Sequence, residues 1–264
     1  MLKLIWHFAH LFVSLQTIMD FKIIHIDETD STNRWLKAFN PLSPSDGSPA
    51  SREQNLVVVA SYQTAGKGCG TNSWESERGK NLTFSMLLHP DKIPANQQFR
   101  ITEVVSVALC EMLESYIFNK VEIKWPNDIY VGDKKICGIL IENRLQGNTI
   151  KDSIIGIGVN VNQTAFMSDA PNPVSIKQLT GIDTEIEKVL SVFLRRFESV
   201  SLRETASSDY RNRLFRRGKL SVYRDITGLF RAELLDVMAD GHLLLRDTEG
   251  QERTYAFKEV EFVI

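Results

Sequence analysis

Cysteine is scarce in this 264-residue chain: Cys69, Cys110 and Cys137 make an odd three, without a CxxC pair or a histidine cluster at zinc-finger spacing. A disulfide framework and a structural zinc site are thereby disfavoured, and free thiols point to a reducing cytoplasm. No sign of charge dominates. The 31 basic and 33 acidic residues leave a net charge of -2, which gives no support to bulk nucleic-acid binding or to adsorption on an acidic membrane. Internal repeats and low-complexity segments are missing. So are a Ser-His-Asp or Cys-His arrangement and a close carboxylate pair, so a covalent enzyme nucleophile or an acid/base dyad is not the natural mechanism. The longest apolar run is confined to the start, MLKLIWHFAHLFVSLQTI, broken by His7, His10 and Gln16 and without a small-residue cleavage site. It makes a poor signal peptide and a marginal membrane anchor. Because Met19 is followed at once by the strand pattern Phe21 to Ile26, residues 1–18 are read as an extension outside the fold.

What is present centres on Ser61 to Leu88, SYQTAGKGCGTNSWESERGKNLTFSMLL. Apolar runs at Leu56 to Ala60 and Leu82 to Leu88 predict two strands holding a glycine-rich loop. Gly66, Gly68 and Gly70 let backbone N–H groups surround an anion, and Lys67 adds charge. On the glycines alone, a plain hairpin turn is an equally good reading. A dinucleotide fingerprint needs a helix after the glycines, and a P-loop needs Ser or Thr after its lysine. Here Gly68 follows Lys67 and the segment runs through Trp74 to Asn81 and a strand.

Asp30, Ser31 and Thr32 offer N-cap oxygens to a helix carrying Trp35, Leu36 and Phe39 on one face. Prolines, glycine and serines make Asn40 to Asn55 a surface loop. A helix apolar nearly all round follows within Ile93 to Asn119, then strands over Val121 to Trp125, Asp128 to Val131 and Lys135 to Asn143, the last two joined at Gly132-Asp133. Ile150 to Val161 is a further strand, opened by Gly156 and Gly158 where side chains would block a ligand. Val174 to Thr180 and Asp183 to Arg203 are helical. From Leu220 five short strands with tight turns predict a small barrel.

The second informative stretch is KWPND, Lys124 to Asp128. A lysine at a strand end, stiffened by Trp125 and Pro126, presents a point charge into a cleft. Taken alone, the stretch reads better as a surface lysine before a Pro-Asn-Asp turn.

Four blocks then fall in one order: DSTN at Asp30 to Asn33, YQTAGKG at Tyr62 to Gly68 with Trp74 after it, KWPNDIYVGDKKICGILIE at Lys124 to Glu142, and GIGVNVN at Gly156 to Asn162. This order resembles the biotin protein ligases, from about Phe21 to the C-terminus. The resemblance implies an α+β fold: a mixed, largely antiparallel sheet with packed helices, of the class II synthetase-like biotin/lipoate ligase type, over residues 19–215. An SH3-like barrel over 216–264 would complete it. It also implies that biotin is activated with Mg·ATP as biotinyl-5′-adenylate and then transferred to a lysine of a biotin carboxyl carrier domain.

By motif match Ser31, Thr32, Asn33 and Gln63 would line the biotin pocket, with Gly66, Lys67, Gly68 and Cys69 closing over biotin and phosphate. Gly138, Gly156 and Gly158 would leave room for the ligand. Lys124 would be the catalytic group, neutralising charge on the reacting carboxylate and α-phosphate while touching both substrates. Lys67, Trp74, Asn81, Asn127 and Asn160 would serve ATP, Trp74 packing on adenine. The resemblance names no metal ligands, and pairing as a homodimer stays open. Two departures stand out: the family usually has arginine at the positions of Lys67 and Cys69, so retention of the adenylate is in question. With the core starting near Phe21, no winged helix-turn-helix and no repressor function is expected. Lipoate or octanoyl ligases and transferases share the fold and are the nearest alternative, disfavoured by KWPND and the terminal barrel. A non-catalytic biotin-binding module is the rival from another class.

Overall fold

The computed structural model describes residues 21–39, 55–90, 93–167 and 172–264. The extension read into residues 1–18 and nearly all of the loop expected over Asn40 to Asn55 lie outside them. β1 (Phe21–Thr29) pairs in parallel with β2 (Asn55–Gln63), and every other neighbour is antiparallel: β3 (Leu82–Leu88), β4 (Val121–Lys124), β5 (Asp128–Val131), β6 (Lys134–Gln146) and β7 (Thr149–Val159). The order is β1-β2-β3-β7-β6-β5-β4.

The continuous apolar run of β2 follows from burial on both faces, since alternate side chains point opposite ways. Val57 and Val59 enter the main core, whereas Leu56 and Val58 meet Leu36 of α1 (Thr32–Ala38) on the other face. The main core is covered by α2 (Phe99–Leu113), which packs on α4 (Ile186–Ser201) and α5 (Ala206–Asn212). Cys110 of α2 is fully buried, as its helical position predicts. The short α3 (Ile176–Thr180) starts at a capping box between Ser175 and Gln178. α5 lies beyond Arg203, the expected end of the preceding helix, in a stretch to which the sequence pattern assigns no element. Its buried side chains are Ala206 and Tyr210, one turn apart, too brief a pattern to register as a period.

The five C-terminal strands, β8 (Leu220–Asp225), β9 (Gly228–Val237), β10 (Leu243–Asp247), β11 (Glu252–Tyr255) and β12 (Glu261–Phe262), form one antiparallel sheet in the order β11-β10-β9-β8-β12. Their turn glycines Gly228, Gly241 and Gly250 have φ of 123°, 94° and 85°, which only glycine adopts without strain. One hydrophobic cluster runs through both sheets, and Trp125 joins them by donating its indole N–H to the Gly241 carbonyl at 2.9 Å.

Candidate functional site

Strand register alone lines up Lys124, Asp128, Gly138, Gly158, Thr83 and Ala60 as successive partners across six strands. One step along, Leu140, Gly156 and Ser85 are partners in the same way. Of these rows, Lys124, Asp128, Gly138, Gly158, Leu140 and Gly156 line an open cleft of about 560 Å³, a size typical of small-molecule sites. The glycines make space that two side chains take. A Cβ on Gly158 would lie 2.2 Å from Trp74 Cε2, one on Gly138 2.9 Å from Trp74 Cζ3, and one on Gly156 2.3 Å from Asn33 Oδ1. The Trp74 indole therefore covers the floor, its Nε1 buried without a partner.

At one end Ser31, Thr32 and Asn33 are buried polar residues. Ser31 is the N-cap of α1, but its hydroxyl makes no cap bond, and Asp30 Oδ1 instead accepts from the Ser31 N–H at 2.6 Å. The expected capping role of the Ser31 and Thr32 side chains is thus replaced by a wider network. Thr32 donates through its N–H and hydroxyl to Gln63 Oε1 at 2.8 and 3.1 Å. Ser85 Oγ lies 2.7 Å from Thr32 Oγ1 and 2.6 Å from Asn33 Oδ1, its single proton serving one of them at a time. Asn33 Nδ2 donates to Glu142 at 2.9 Å and Lys37 to the same carboxylate at 2.6 Å. Burial alone would raise the Glu142 carboxyl's pKa, but these two donors outweigh it and hold the group below its usual range.

The glycine loop folds back as a small hairpin, with Gly68 N–H donating to Asn72 O at 2.8 Å and Trp74 N–H to Gly66 O at 2.9 Å. Cys69 is partly buried: Asn127 Nδ2 reaches its sulfur at 3.2 Å and the Ile139 carbonyl at 2.6 Å. Burial pushes this thiol's pKa up despite the Asn127 contact, so it is a weak nucleophile. Lys67 and Gly68 line the cleft, but Gly66 lies behind it, against the Trp74 backbone.

Asn81 and Asn160, expected at the nucleotide, lie outside the cleft wall. Asn81 ties the sheet to the next segment, donating to Gln163 at 2.6 Å and accepting from the Val161 N–H at 2.9 Å. Asn160 donates to the Val174 carbonyl at 3.1 Å while its Oδ1 stays buried and unpartnered.

Lys124 is the charge the rows deliver to the cleft. Its Nζ lies 5.5 Å from the centre of the Tyr130 ring and 5.3 Å from that of Phe262, and no carboxylate among the described residues forms an ion pair with it. Loss of water lowers its pKa, with Asp128 partly opposing. Sequence reasoning missed the neighbouring pair Lys135–Asp128, at 2.7 Å, although both lie inside the third motif block. It also missed Phe257, Lys258 and Phe262, which reach the cleft from the second sheet and carry no local motif.

The comparisons with known proteins meet this site. Residues 29–160, half of the chain, match the biotin/lipoate A/B protein ligase family. The bifunctional ligase/repressor BirA of Bacillus spizizenii is 32% identical over 224 residues, 77% of this chain and 65% of that protein. The chain therefore spans less than two thirds of that relative's length. Human biotin–protein ligase is 34% identical over 165 residues, 59% of this chain and 22% of its own. Among solved structures, the biotin protein ligase of Aquifex aeolicus in complex with biotin and ATP superposes with a TM-score of 0.72 at 25% identity, over 92% of this chain and 99% of that one. The fold is that of the biotin protein ligase it superposes on, with the cleft at the meeting of its two sheets. The chain belongs to the biotin/lipoate A/B protein ligase family.

Proposed function

We propose that this chain is a biotin–protein ligase acting through an acyl-adenylate. A biotin carboxylate oxygen attacks the α-phosphorus of ATP, the bond to the bridging oxygen breaks, and pyrophosphate leaves. A lysine amine of a biotin carboxyl carrier domain then attacks the acyl carbon, AMP departs, and an amide remains. The observation that carries the reading is Lys124, an unpaired ammonium held between two rings at the end of a glycine-floored row. A preorganised charge of this kind stabilises the negative charge that builds as carboxylate and phosphate approach.

Residues 19–215 would form the catalytic unit and 216–264 a second unit that completes its wall. The Thr32–Gln63–Ser85–Asn33 network supplies donors and acceptors for a ureido ring, and Trp74 an aromatic face for the base. The carboxylates on the cleft wall are Asp128, already tied to Lys135, and Glu261. That set suits a magnesium ion arriving with the triphosphate and keeping most of its waters. Among the described residues no helix is long and apolar enough to cross a membrane. Incubation with ATP, pyrophosphatase and either biotin, lipoate or octanoate tests the reading. AMP and adenylate should form with biotin. Turnover with lipoate or octanoate alone would assign the sibling activity, and biotin binding without AMP would make the chain a binding module.

A further inference from the structure

The tip of the glycine loop, Cys69 and Gly70, carries no charge of its own, and Lys67, two residues before, acts electrostatically on Glu142 at the opposite end of the cleft. Positive charge reaches the tip from elsewhere. Lys258, in the turn between β11 and β12, lies directly over Gly70: a Cβ there would fall 2.1 Å from its Nζ and 3.0 Å from its Cε. Its charge and that of Lys135 both act on the Cys69 thiol. Lys135 is already neutralised by Asp128, whereas no carboxylate among the described residues pairs with Lys258.

Lys258 also holds a backbone conformation that suits glycine better, with φ of 73°. The turn is pinned on both sides, by Glu259 N–H to Ala256 O at 3.1 Å and Ala256 N–H to the Glu259 carboxylate at 2.7 Å. A lysine kept in a strained position at a cleft rim, where glycine would relax the chain, is a functional-site signal in its own right.

Resting on the ligase reading above, we propose that Lys258 is a phosphate-binding residue that the C-terminal sheet lends to the glycine loop, holding the α-phosphate of ATP, and then of the acyl-adenylate, against the loop N–H groups. The second sheet is then part of the nucleotide site. Opening of the two sheets would carry the charge away and loosen the intermediate.

The test compares Lys258→Met, which keeps reach but loses charge, Lys258→Gly, which also removes strain, and Lys258→Arg. Thermal melting, KM for ATP and for biotin, ATP binding by calorimetry, and release of preformed adenylate are read for each. Expected are about a tenfold rise in KM for ATP and faster adenylate release in the Met and Gly variants, with KM for biotin little changed. The Gly variant should melt no lower than the wild type, and Arg should restore ATP affinity to within about threefold. A merely structural lysine would give the reverse, lower melting and an unchanged KM for ATP, and that result overturns the proposal. If the wild type turns over normally while Met and Gly match it, this inference alone fails. If the wild type neither binds ATP nor forms adenylate, the ligase reading fails with it.

Discussion

The Lys124 ammonium lies 5.3 Å from the centre of the Phe262 ring, so the last strand of the chain walls in the lysine of β4. Two opposed effects follow. The ring face attracts the cation, while the ring's bulk excludes the water that would hydrate it, and loss of water is the largest cause of this lysine's lowered pKa. Asp128, Lys135, Glu261 and Arg216 also act on it and would be unchanged by a substitution at 262. Phe262→Leu should keep the site dry but lose the ring face, moving the alkaline limb of the adenylation pH–rate profile to lower pH. Phe262→Ala should admit water and move it to higher pH. Limbs that shift together would show that the ring acts on Lys124 only as filler.

Lys124→Met should lower adenylate formation about a hundredfold to a thousandfold, the usual loss for one preorganised charge. The same change should stabilise the fold. The folded-state pKa of Lys124 is below its ordinary value, so between the two the unfolded chain binds more protons and stability rises with pH. The penalty of burying the charge is fullest below the folded pKa and vanishes above the ordinary lysine value. Melting curves of both proteins at neutral and strongly alkaline pH should therefore differ most at neutral pH. A variant that melts lower than the wild type at pH 7 contradicts this account.

Asn33→Asp would set a second carboxylate where an amide now donates to Glu142 at 2.9 Å. A loss of about 1–3 kcal/mol is expected at pH 8 from the broken bond and the like charges. Two facing carboxylates raise the pKa of one of them, so the native state takes up a proton the unfolded chain does not, and stability returns as pH falls toward 5. Denaturant titrations at the two pH values check it, an equal loss at both arguing against the pair.

Gly158→Ala would drive a methyl group into the Trp74 ring, 2.2 Å from Cε2. The ring must leave the floor of the cleft, at a cost of about 1–3 kcal/mol for overpacking. A red shift in tryptophan emission, absent when the same change is made beside Trp74→Phe, would report the displacement. Unchanged emission would mean that the strand moves instead.

Much of the fold was legible because its strands are apolar on both faces and its breakers are local: β3 spans Leu82–Leu88 and β5 Asp128–Val131, as their residues predict, and the C-terminal turns fall at Gly228, Gly241 and Gly250. Motif order carried the family. Which face each motif served was beyond reach, because it depends on strand register between segments far apart in the chain. Register brings Lys124 into line with Gly138 and Gly158, spends Asn81 on holding two segments together, and puts Asn33 and Trp74 into the space the glycines leave. The second sheet shows the limit most clearly. Its sequence dictated short strands and tight turns, but only the docking of the two sheets, joined at Trp125 and Gly241, brings Phe257, Lys258 and Phe262 to the cleft. Local propensity fixes where a chain bends. Which charge ends beside which ring is settled only when distant surfaces exclude water together, and no single segment encodes that energy.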